Sequence, residues 1–245
     1  MVTFGDSGVD SFPRQLSVGG FRFLVHRAFT GLLLSGCFVL LAACQQESPT
    51  YENLPWQTNI NDQQHLEVFG IELGRTSLGE AQKRWGGYPS LALFRSSDGA
   101  LDLEAYFERL VLGPFQVKMI VRLEADSSLL AAMQSRGGRP EPGPSGDFRF
   151  GLSEADVQRA MSLPIDEASY VPSYHIEGKL LRTRFGEPSA IRTLDENTRL
   201  WLFPSRGILV TIQNRGKDII HYVNPGKFSD MLERMKIDSR QGEKT

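Results

Sequence analysis

Hydrophobic and polar residues alternate in three different rhythms along the chain. Residues 28–43, AFTGLLLSGCFVLLAA, are sixteen positions without a charge, preceded by Arg22, His26 and Arg27 and closed by Gln45, Gln46, Glu47 and Ser48. A helix crossing the hydrocarbon core needs about 20 predominantly apolar residues. The segment is shorter than that and has the positive, apolar and small-residue order of a secretory signal, expected over 1–43. Residues 44–64 are polar, with Pro49 and Pro55, and read as a flexible tether on which Trp56 is expected to dock against the body. Beyond Leu66, helical and strand periods take turns to the end of the chain.

Those periods predict two α+β units. In the first, over 65–135, a short strand at Leu66–Ile71 precedes a helix that starts at Thr76 or Ser77 and is stopped after Trp85 by Gly86, Gly87 and Pro89. Strands follow at Leu91–Arg95, Asp102–Leu110 and Val117–Leu123, separated by Ser97-Asp98-Gly99 and Gly113-Pro114, and a helix at Ser128–Gln134 closes the unit. Residues 136–147 contain RGGRPEPGPSG, through which neither helix nor sheet propagates, so the boundary is placed there; a long surface loop is the alternative. The second unit, 148–236, opens with Phe148 and Phe150 and a helix capped at Ser153 and running to Met161. Pro164 and Pro172 interrupt it before a helix at Ile176–Phe185. Four strands come next, at Ala190–Leu194, Arg199–Phe203, Ile208–Gln213 and Asp218–Val223, with links short enough to force antiparallel neighbours. In the third of them Ile208, Val210 and Ile212 face one way and Leu209, Thr211 and Gln213 the other. A helix at Lys227–Lys236 and a polar tail, 237–245, end the chain.

The close of the apolar segment, Leu41-Ala42-Ala43-Cys44, resembles the lipobox of bacterial lipoproteins. The resemblance implies that the Cys44 thiol takes a diacylglycerol, that the chain is cut before it, and that the new amino group is acylated. Each buried methylene contributes about 0.8 kcal/mol, so two or three acyl chains hold a protein on a membrane without a spanning helix. Gln45 after the cysteine implies, by the same resemblance, the periplasmic face of the outer membrane. The 27 residues ahead of the apolar stretch are long for a signal and carry Asp6 and Asp10, and initiation nearer Val25 is expected.

The two halves echo each other. Trp85-Gly86-Gly87-Tyr88-Pro89 and Phe185-Gly186-Glu187-Pro188 each end a helix and lead into a meander. The arrangement resembles the small α+β repeats of the small lipoprotein of the outer-membrane β-barrel assembly machinery and of the β-lactamase inhibitor protein. It implies helices packed on antiparallel meander sheets, behind a lipidated tether.

Composition narrows the function classes. Twenty-seven basic residues against 29 acidic ones give a net charge of −2 and no footprint for nucleic acid. The two cysteines, Cys37 and Cys44, both lie in the apolar segment, which removes a disulfide framework and a cysteine zinc site; with Cys44 acylated, cysteine catalysis is excluded too. His65, His175 and His221 lack metal-helix spacing, and Gly74 to Gly79 lacks the lysine and hydroxyl of a phosphate loop. No cofactor and no metal are expected. Arginines 182, 184, 192, 199, 206 and 215 alternate with acids and read first as solvated strand residues.

The leading expectation is a non-catalytic envelope lipoprotein, bound to the membrane through Cys44 and to another envelope protein through a sheet face or edge. Trp201, Phe203 and Tyr222 are its candidate partner-binding residues, because interface anchors are enriched in aromatics. The alternatives are a periplasmic hydrolase using carboxylates or His175, and a carrier of a small apolar ligand.

Overall fold

A computed structural model describes residues 50–143 and 147–235. The expected signal segment, Cys44, the start of the tether and the polar tail lie outside the described residues. Along the chain the elements are β1 (Asn59–Ile60), β2 (Leu66–Val68), β3 (Ile71–Glu72), α1 (Leu78–Trp85), β4 (Ser90–Arg95), β5 (Leu101–Leu112), β6 (Phe115–Leu123) and α2 (Ser127–Arg136). There follow β7 (Glu141–Pro142), β8 (Phe148–Phe150), α3 (Glu154–Met161), β9 (Ile165–Val171), α4 (Gly178–Phe185), β10 (Ala190–Thr193), β11 (Thr198–Phe203), β12 (Ile208–Gln213), β13 (Ile219–Val223) and α5 (Phe228–Arg234). The fold class is α+β.

Local chemistry sets the helix ends. Ser77 and Glu80 form a complete capping box, the Ser77 hydroxyl accepting from the Glu80 amide at 3.3 Å while Glu80 Oε2 accepts from the Ser77 amide at 2.9 Å. Gly86 closes α1 in the left-handed region at φ 71°. Asp126 and Ser153 cap α2 and α3 through the amides of Leu129 and Asp156.

The strands form one sheet of ten and a small sheet of three. In the large sheet the order is β10-β11-β12-β13-β9-β6-β5-β4-β8-β7, with every pairing antiparallel. The two expected units therefore share a sheet. Strand β9 joins them, pairing with β6 from Lys118↔Val171 to Leu123↔Ile165 and with β13 from Ile220↔Tyr170 to Val223↔Glu167. Nor does the expected boundary at 136–147 divide the sheet: Glu141–Pro142 pairs with β8, and β8, assigned to the second unit, pairs with β4 of the first. Strand β9 reaches this place by a long connection: after β6 the chain forms α2, runs β7 and β8 along the far side of β4, and returns through α3 to lie beside β6.

Pleating sends alternate side chains to opposite faces. The first face buries Leu93, Ala105, Phe107, Met119, Val121, Ala168, Tyr170, Val210 and Tyr222 beneath the apolar sides of α1, α2, α3 and α4 and of β2 and β3. The second face has a smaller cluster at one end only, where Phe228, Met231 and Leu232 of α5 cover Leu200, Leu202, Leu209 and Val223. In β12, Ile208 and Val210 join the first cluster and Leu209 the second, as the alternation predicted.

The segment expected as tether is structured from Leu54. Its backbone turns at Leu54–Gln57, and the buried Tyr222 hydroxyl donates to the Pro55 carbonyl at 2.8 Å. Trp56 packs edge-on against Phe115, ring centroids 5.8 Å apart, with the Arg184 guanidinium 4.4 Å above its ring. Residues 59 and 60 then pair with β2.

Candidate functional site

The three aromatics expected at a partner face are inside. Trp201 is 6% exposed, Phe203 3% and Tyr222 0%, and all three belong to the first-face core. Trp201 lies under the Arg182 guanidinium at 4.8 Å and against Gly178, where a Cβ would approach its ring to 2.8 Å. Phe203 packs on Phe185 and Tyr222 on Phe69. Their assignment as surface anchors is corrected. From Leu200 to Phe203 the strand is covered on both faces, so the residues that alternate with them, Leu200 and Leu202, are equally buried under α5.

The histidines do not converge. His65 Nδ1 is 2.9 Å from Glu72, and the exposed His175 is 3.4 Å from Asp218, whose oxygens also accept from the backbone amides of Ile176 and Gln213. His221 on β13 is buried on the second face, its Nδ1 2.8 Å from Ser169 Oγ and 3.8 Å from Glu167. Serine, histidine and carboxylate thus meet, but both partners lie at one ring nitrogen. A relay needs one nitrogen for the nucleophile and the other for the carboxylate. Burial pushes His221 down to about 4, with Arg234 adding to the effect, and the ring stays neutral. Among the described residues no group of three or more His, Cys, Asp or Glu could hold a metal ion.

The chemistry of the second face is an ionic row crossing the sheet. Register places Ala92, Glu104, Arg122 and Glu167 side by side on β4, β5, β6 and β9. A bulge between Arg122 and Leu123 brings Asp166 beside Glu167. Arg122 is the hub, pairing with Asp166 and standing 3.6 Å from Asp102 and 3.7 Å from Glu167. Arg234 of α5 pairs with Glu167, and Lys227, just before α5, reaches Asp166 at 2.6 Å and Glu124 at 3.1 Å. The apolar residues of α5 and its two flanking cations therefore dock together.

Glu104 differs from its neighbours. Asp102, Asp166 and Glu167 each face a cation within 4 Å, whereas the half-buried Glu104 has no hydrogen bond or ion pair among the described residues. Burial first, then the charges of Asp102 and Glu167, push its carboxyl up to about 7. It lines a hollow of about 240 Å³ with Ser90, Ala92, Phe94, Tyr106, Ile120 and Arg149. Ala92, directly across from Glu104, leaves the space; Phe94, Tyr106 and Ile120 are the walls. None of the described helices buries a residue on this half of the second face.

Two larger clefts lie elsewhere. One of about 670 Å³ runs between residues 53–59 and β2 and β3, with Arg84 at its side; in it Asn59 donates to Glu67 at 3.0 Å, and Gln57 bonds the backbone of Leu54 and Tyr51. Another of about 420 Å³, with Arg109, Lys118 and Lys217 on its wall, adjoins the bulge between Phe107 and Leu110.

Sequence reasoning missed Arg122, Asp166 and Glu167, while the paired acids Asp102 and Glu104 read from the sequence as facing solvent. The available signal was the alternation in Asp102-Leu103-Glu104-Ala105-Tyr106, which puts two acids and an aromatic on one side of a strand whose other side is apolar. Compared with known proteins, the chain matches no family model, no curated protein and no solved structure.

Proposed function

We propose that the chain is a non-catalytic lipoprotein of the bacterial envelope, anchored through acylated Cys44 at the periplasmic face of the outer membrane, that docks another envelope protein on the open half of its second sheet face. The anchor rests on Leu41-Ala42-Ala43-Cys44 at the end of a charge-free segment. The docking reading is carried by one observation, the unequal cover of the second face. Over β11, β12 and β13 the chain supplies its own amphipathic helix, α5; over β4, β5 and β6, Phe94, Tyr106 and Ile120 are half-buried beside a charged row, with none of the described helices above them. A partner segment with an apolar stripe completes the second half as α5 completes the first.

Anchor and docking face are tested together. Cys44→Ala is expected to abolish labelling by a palmitate analogue and release the protein from the membrane, and persistent labelling refutes the anchor. A photo-crosslinking residue at Lys118, on the rim of the open half, is expected to yield one identified envelope partner in intact cells. The adduct should vanish with Ile120→Asp in a protein whose melting is retained. An adduct insensitive to that change, or the same adduct from a probe at the exposed Ile191 on β10, at the far edge of the sheet, refutes the docking face.

A further inference from the structure

The geometry points to the hollow over Glu104 as a binding site for an alkylammonium group, either a free amine or the side chain of a partner's lysine. Its carboxylate is the one on the ionic row without an ion pair among the described residues, because Arg122, its neighbour in register, pairs with Asp102, Asp166 and Glu167 instead. The neighbouring carboxylates show what this row accepts. Asp166 holds an ammonium, that of Lys227, at 2.6 Å, and Glu167 holds the Arg234 guanidinium; both arrive with the apolar residues of α5. At Glu104 the same combination of carboxylate and apolar wall is present, and both nearby cations, Arg122 and Arg149, pair with other carboxylates.

The walls suit the group. An ammonium gains from a ring face and its methylenes from apolar surface. Tyr106 already receives the chain's own Lys118 ammonium 6.0 Å from its centroid. Phe94 and Ile120 supply the apolar remainder, and about 240 Å³ accommodates a four-carbon chain but not a folded element. The rim cation, Arg149, is paired with Glu141 at 3.0 Å. Burial first, then the charges of Asp102 and Glu167, raise the affinity of Glu104 for its proton, and an arriving ammonium offsets those charges.

Recognition of a lysine here rests on the open half being a docking face. A titration with small amines needs no partner, so its failure and that of the crosslinking experiment are separable. The full lipidated chain in detergent, labelled at isoleucine and alanine methyls, is titrated at about pH 8, where Glu104 ionises and an alkylamine stays protonated. The probes are n-butylammonium chloride and N-acetyl-lysine amide, with n-butanol and N-acetyl-norleucine amide as neutral counterparts. Saturable shifts of the Ile120 and Ala92 methyls are expected with the charged probes, weakened at least about tenfold in the neutral ones and in Glu104→Gln. A response to butylammonium alone assigns a free amine, and an equal or stronger response to the lysine derivative assigns a protein side chain; either supports the site. No response to either charged probe, shifts as large with butanol, or binding retained in Glu104→Gln overturns it.

Discussion

Arg136 grips Asp156 with both arms of its guanidinium, Nη2 to Oδ1 at 2.5 Å and Nε to Oδ2 at 3.1 Å, across a segment rich in proline and glycine. The Arg136 hydrogen bonds, ahead of the one from Ser153, hold the Asp156 carboxyl below the usual carboxylate range despite its burial. The stability this contributes is present above the unfolded value of 3.8 and is lost as pH falls toward the lowered folded one. Arg136→Ala is therefore expected to lower the urea midpoint at neutral pH and to lose most of its effect in acid. Proteolysis in the loop should not release two separately folded halves, because β6, β9 and β13 remain paired.

Aspartate at Trp201, Phe203 or Tyr222 is expected to abolish the cooperative thermal transition seen by circular dichroism. Each change removes a buried ring, at about 3–5 kcal/mol, and adds an unpaired buried charge. Tyr222→Phe is milder. It leaves the Pro55 carbonyl without its donor and is expected to cost about 1–2 kcal/mol.

Glu104 and His221 act on stability in opposite directions. An unfolded His221 takes its proton near 6.5 and the folded one near 4, so between those values each fall in pH favours the unfolded chain. An unfolded Glu104 loses its proton near 4.5 and the folded one near 7, so there each rise in pH favours the unfolded chain. Each effect is about 3 kcal/mol at most, and between pH 4.5 and 6.5 they offset each other. Glu104→Gln is expected to raise stability at about pH 8 and to expose a steep loss between pH 6.5 and 4, read from denaturation midpoints across pH.

Gly207 links β11 to β12 at φ 64°, and its carbonyl accepts from the Val223 amide at 2.9 Å. A Cβ there would lie 1.8 Å from the Val223 carbonyl oxygen. Gly207→Ala is expected to destabilise the chain by at least about 2 kcal/mol and to speed amide exchange at Val223 first.

The elements with a regular period were legible. The helices ending at Trp85 and Phe185 and both meanders fall where apolar spacing and turn residues place them, because those signals are local. Strand β9 was not. Its sequence, IDEASYV, carries two acids and a serine between Pro164 and Pro172, and it becomes a central strand only because Arg122, Lys227 and Arg234 neutralise it from distant positions. The same distance hid the candidate site. Glu104 draws attention through the ion pair it lacks among the described residues, which depends on where every other cation has gone. Trp201, Phe203 and Tyr222 misled for a related reason: alternation shows that a strand has two sides, but α5, which makes both sides internal, comes later in the chain.

The contacts of Pro55 and Trp56 also decide how the body bears a load. Tension applied through the N-terminal segment arrives at Tyr222 on β13 and Phe115 on β6, the two strands flanking β9 in the middle of the ten-stranded sheet. Pulling on an edge strand unzips backbone hydrogen bonds one at a time. A pull received by inner strands must first undo aromatic contacts and a buried hydrogen bond, and then finds paired neighbours on both sides. The attachment resembles a mooring line made fast amidships, and it leaves the outer strands β10 and β7 slack when the line is drawn.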